Sequence, residues 1–88
     1  MSYSFDGAVI KEQGVTFAIA VVKRGTLANT STRDKTLVEF QKAFDGLPTV
    51  LMEQNSSGTP TYYGRKDIVN FLSKLHISQI PWRKYTVS

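Results

Sequence analysis

The chain has no cysteine, one histidine, one tryptophan and three prolines in 88 residues. Without cysteine there is no disulfide scaffold and no thiolate nucleophile. With His76 as the sole imidazole, most zinc, haem and iron–sulfur sites are excluded as well, and neither cofactor nor metal is expected. No long hydrophobic run occurs: the most apolar stretch, residues 15–22, falls far short of the ~18 residues that cross a membrane. Acidic residues are the scarcer sign, seven against eleven Lys and Arg, for a net charge of +4.

What is present reads as one small folded domain, residues 1–88. Apolar residues make up 41% and charged residues 20%, a globular rather than disordered balance. A chain of this size buries only ~60–65% of its unfolded surface, so its core is thin. Residues 1–7 carry neither a basic segment nor a long apolar stretch, so no secretory signal is read and the expected compartment is the cytoplasm. Asn29-Thr30-Ser31 and Asn55-Ser56-Ser57 match the short glycosylation pattern; they are read instead as cap and turn residues.

Charge is unevenly placed. Residues 1–63 balance six basic against six acidic side chains, whereas residues 64–88 set Arg65, Lys66, Lys74, Arg83 and Lys84 against Asp67 alone. Trp82 and Tyr85 lie in the same stretch, with Tyr62 and Tyr63 just before it. Cations interleaved with aromatic rings suit a phosphate or nucleic-acid surface; they also suit a solvated face with aromatics turned to the core.

Hydropathy patterning orders the elements. Residues 3–11 alternate loosely as a strand, and Glu12-Gln13-Gly14 supplies a turn. Residues 15–22 are β-branched and apolar on both parities, which predicts a strand in the middle of a sheet. Thr30, Ser31 and Thr32 offer hydroxyl caps to a helix ending near Asp45, with Asp34 three residues after Ser31. Its stripe is Leu37, Phe40 and Phe44; Gly46 and Pro48 stop it. A short strand at 49–53, a polar loop at 54–60 and a returning strand at 61–63 follow. A second helix from about Arg65 carries Ile68, Val69, Phe71, Leu72 and Leu75, and a final strand begins after Pro81. The order β-β-α-β-β-α-β predicts an α+β, two-layer domain with a mainly antiparallel sheet and both helices on one face.

The stretch from Leu47-Pro48-Thr49-Val50-Leu51 through Gly64 to Phe71-Leu72 resembles the C-terminal half of the thioredoxin-like fold. There a proline precedes a buried strand, a hairpin follows and a helix closes the domain. The redox cysteines of that family are absent, so the resemblance implies a shared scaffold without disulfide chemistry.

Catalytic constellations are not read. His76 lies just beyond the second helix, where a cap or surface role fits, and no Gly-x-Ser-x-Gly pattern marks a serine. The seven acids are scattered: Asp34 and Asp45 bracket the first helix and Asp67 sits in the first turn of the second. The anomaly is Gly64-Arg65-Lys66, two cations at a helix start, where positive charge is disfavoured by ~0.3–1 kcal/mol each. An anion held there, with Gly64 permitting close approach, would offset the cost.

The expected function is therefore a non-enzymatic module that binds a protein partner or itself through a sheet edge or the C-terminal strand. The alternative is anion or nucleic-acid binding by Gly64, Arg65, Lys66, Lys74, Arg83 and Lys84, with Tyr62, Trp82 and Tyr85 as aromatic contacts.

Overall fold

The doubly apolar run becomes the central strand of a five-stranded sheet in a computed structural model that describes residues 3–12 and 14–87. In chain order the elements are β1 (Tyr3–Glu12), β2 (Val15–Val21), a 3₁₀ turn (Thr26–Ala28), α1 (Thr30–Ala43), β3 (Thr49–Gln54), β4 (Pro60–Tyr63), α2 (Lys66–Ser73), a second 3₁₀ turn (Ile77–Gln79) and β5 (Arg83–Val87). This is the anticipated α+β order. Gln13, in the expected turn after Glu12, lies outside the described residues.

Spatially the strands run β4-β3-β2-β1-β5. β1 pairs antiparallel with both β2 and β5, and β3 pairs antiparallel with β4. β2 and β3 are parallel, Ala18 opposite Thr49 and Val21 opposite Met52, because α1 carries the chain back before β3 begins. The sheet is thus mixed, though mostly antiparallel.

The helices do not share a face, and this corrects the expected two-layer arrangement. Ile68 and Leu72 of α2 pack with Phe17, Ile19, Val50 and Met52. Phe40 of α1 and Phe44, the residue that ends it, pack with Phe5, Ala18, Ala20 and Leu51. Since side chains alternate along a strand, these are opposite faces of β2 and β3. The reason lies in β2 itself: with both parities apolar, leaving either face to water would expose one of the two core clusters. Ile19, Val50, Leu51, Met52 and Leu72 are fully buried, each worth ~1.5–3 kcal/mol.

α1 begins one residue earlier than its hydroxyls suggested. Asn29, in extended backbone, accepts the Thr32 N–H on its Oδ1 at 3.0 Å, so neither Ser31 nor Asp34 acts as the cap. At the other end Asp45 and Gly46 both adopt positive φ, and the Gly46 N–H donates to the Gln41 carbonyl at 2.8 Å. The proline–strand–hairpin–helix order of the thioredoxin-like resemblance is present as Pro48, β3, β4 and α2. However, α2 does not close the domain, since β5 follows and adds to β1 at the far edge.

Candidate functional site

The five late cations are parted by the sheet. Arg65 and Lys66 follow β4 at one edge, while Arg83 and Lys84 lie on β5 at the other. Four strand spacings separate those edges, roughly 19 Å. Lys74 sits at the C-terminal cap of α2, where a cation suits the helix's negative end. The sequence stretch that held the charge excess therefore does not fold into one basic patch.

Arg65 and Lys66 stand at the start of α2. The Arg65 guanidinium reaches forward to Asp67, its Nε 3.1 Å from Oδ1 and a terminal nitrogen 2.6 Å from Oδ2. The hydrogen bond from Arg65 holds the Asp67 carboxyl below its ordinary range and raises the guanidinium above its own. Lys66 forms no ion pair among the described residues. Gly64 is needed for a reason other than ligand approach: a Cβ there would stand 2.9 Å from Val50 Cγ2 and 3.1 Å from the Thr49 carbonyl. Its empty side faces β3, inside the fold.

The aromatic residues divide between the two faces. Trp82 is half-buried on the α2 side, and its indole N–H donates to the Ile77 carbonyl at 3.0 Å. Tyr85 lies on the α1 side, stacked on Phe5 with ring centres 5.6 Å apart and edge-on to Phe44 at 5.2 Å. Both anchor the C-terminal segment to the core. Tyr62 packs toward α2 and Tyr63 toward α1. The Tyr63 hydroxyl donates to Asp34 Oδ1 at 2.6 Å, and Arg33 lies over its ring at 4.1 Å. Asp34 thus ties α1 to β4, the role that replaces capping.

His76 caps the start of the second 3₁₀ turn rather than the end of α2: its Nδ1 accepts the Ser78 N–H at 3.2 Å, and its own backbone N–H donates to Gln79 Oε1 at 2.9 Å. Among the described residues no group of three His, Asp or Glu side chains is placed to hold a metal ion. None of the described helices is long and apolar enough to cross a membrane.

With the basic residues dispersed, the sheet edges are the open features of the backbone. β4 is four residues long, opens on Pro60, which has no N–H, and turns away at Gly64. β5 is five residues long and, among the described residues, is paired on one side only, with β1. Its Lys84 Nζ stands 3.3 Å from Asp6 Oδ1 on the neighbouring strand. Composition could not show this pairing, since Asp6 and Lys84 come from opposite ends of the chain.

No family model matches the chain, and neither the curated proteins nor the solved structures contain a match.

Proposed function

We propose that this chain is a non-catalytic interaction domain that self-associates by pairing the outer edge of β5 with β5 of a second copy. The observation that carries the reading is the inequality of the two edges: β4 is shortened and blocked by Pro60, whereas β5 offers unpaired backbone groups along its length. Charged residues on an edge normally discourage such pairing, and β5 begins with Arg83 and Lys84. An antiparallel register centred on Tyr85 removes the conflict. It sets Arg83 opposite Val87 and Lys84 opposite Thr86, so no cation faces a cation, and Asp6 already partners Lys84. Two five-stranded sheets would merge into one continuous sheet. Five residues of edge form an interface of the class below ~1,200 Å², which gives weak and reversible association.

Sedimentation velocity over a wide concentration range tests this. A monomer–dimer equilibrium is expected, tightened in Thr86→Glu, where the new carboxylate faces the second copy's Lys84, and weakened in Thr86→Lys. A strict monomer up to ~1 mM defeats the proposal. Binding of nucleic acid through a basic face draws less support, because Arg65 and Lys84 are engaged by acids and the cations straddle the sheet. Oligonucleotides at low ionic strength are expected to give no saturable response.

A further inference from the structure

A basic residue stands three positions before a hydroxyl at three places in the chain: Lys23 before Thr26, Arg33 before Thr36 and Arg83 before Thr86. Serine/threonine kinases of the arginine-directed class select this spacing, because acidic groups in their clefts pair with the upstream cation. They also take the acceptor as an extended, accessible segment. The fold separates the three candidates. Thr26 is half-buried in the first 3₁₀ turn, and Thr36 is half-buried inside α1, with its Arg33 lying over the Tyr63 ring. Of the three, Thr86 alone is exposed and already in strand conformation, on β5.

The groups that a kinase would read around Thr86 are accessible. Arg83 is exposed and forms no ion pair among the described residues, and Lys84, the second upstream cation, is exposed beside Asp6. The Thr86 hydroxyl shares a hydrogen bond of 3.2 Å with that of Ser4, and both residues are exposed. Among the described residues β5 pairs only with β1, so a cleft can take it by opening a single ladder. In the transfer, the kinase's carboxylate base takes the hydroxyl proton and Thr86 Oγ1 bonds to the γ-phosphorus of magnesium–ATP. The bond from that phosphorus to the β–γ bridging oxygen breaks, and ADP leaves.

We infer that Thr86 is a phosphorylation site for an arginine-directed serine/threonine kinase, and that its phosphate tightens the β5–β5 pairing. The tightening rests on the self-association proposed above; the site does not. In that register Thr86 lies opposite the second copy's Lys84, with Cα atoms ~5 Å apart, and its own Lys84 is ~7 Å away along the strand. Two phosphates and two ammonium groups then alternate on one face of the seam, so each dianion has a cation as its nearest charged neighbour across it.

The whole chain is incubated with magnesium–ATP and the catalytic subunit of cyclic-AMP-dependent protein kinase, the product is mapped by mass spectrometry, and its association is measured by sedimentation. One phosphate on Thr86 is expected, with incorporation roughly 10-fold or more slower in Arg83→Ala, whose side chain is exposed. The phosphorylated chain is expected to dimerise roughly 3- to 30-fold more tightly than the unmodified one at low ionic strength, an advantage lost at ~1 M salt. No phosphate on Thr86, equal phosphate on Thr26 or Thr36, or incorporation unchanged in Arg83→Ala overturns the site. A dimer no tighter after modification overturns the tightening. Monomers both before and after Thr86 is phosphorylated defeat the β5 pairing and the tightening together, and leave the site standing.

Discussion

Lys84 and Asp6 are direct register partners across the β1–β5 pair, with Nζ 3.3 Å from the carboxylate oxygen. Both side chains are more than half exposed, so the pair itself is worth at most ~1 kcal/mol and is weakened by salt. Asp6→Asn is accordingly expected to shift the urea midpoint only slightly at low ionic strength and not at ~1 M salt. The same variant leaves Lys84 uncompensated on the open edge. Its dimerisation, read by sedimentation, should be weaker than the parent's.

Gly64→Ala is expected to destabilise by ~1–3 kcal/mol, since the added methyl would meet Val50 and the Thr49 carbonyl at 2.9 and 3.1 Å. An anion-binding glycine would behave differently, losing ligand affinity while keeping its urea midpoint. Chemical denaturation separates the two roles. Gly7→Ala is a second instance, because its Cβ would stand 2.7 Å from the Ile19 carbonyl on β2.

Opposite faces of the sheet respond differently to changes in side-chain size. Leu72→Ala empties a fully buried position under α2 and is expected to cost ~2–5 kcal/mol. Ala18→Leu overfills the tight contact beneath α1, at ~1–3 kcal/mol. Were both helices on the face that α2 covers, Ala18 would look toward solvent and tolerate leucine. Thermal or urea unfolding of the Ala18→Leu variant therefore tests the placement of α1 directly.

Alkaline pH provides a further check. Burial raises the Tyr62 phenol, and the hydrogen bond to Asp34 is the main cause that raises Tyr63, with desolvation adding to it. A raised phenol favours the protonated folded state. The stability it contributes is intact below the unfolded tyrosine value of ~10 and is lost as pH rises through the folded value. The double variant Tyr62→Phe, Tyr63→Phe should therefore show a shallower fall in thermal midpoint than the parent between pH ~9.5 and ~11.5.

Local signals carried most of the fold. The i, i+3, i+7 spacing of Leu37, Phe40 and Phe44 marked the buried stripe of α1, and the two apolar parities of β2 marked a central strand. That second pattern also implied cover on both sides of the sheet, a consequence that placing both helices on one face contradicted. Asp67, two residues beyond Arg65, was close enough in sequence to answer the helix-start anomaly, because a guanidinium can fold forward along its own backbone. Asp6 was not, since only the register of β1 against β5 brings it to Lys84.

Tyr3 and Val87 oppose one another at the end of the β1–β5 pair. Register partners in an antiparallel pair have Cα atoms ~4.5–5.5 Å apart, so a few glycines would bridge the two strand ends. New termini could then be cut into the exposed turn at residues 55–58, giving a circular permutant with the same sheet. In that permutant β5 and β1 form a local hairpin instead of closing the longest loop in the chain. The permutant would be expected to fold faster than the parent.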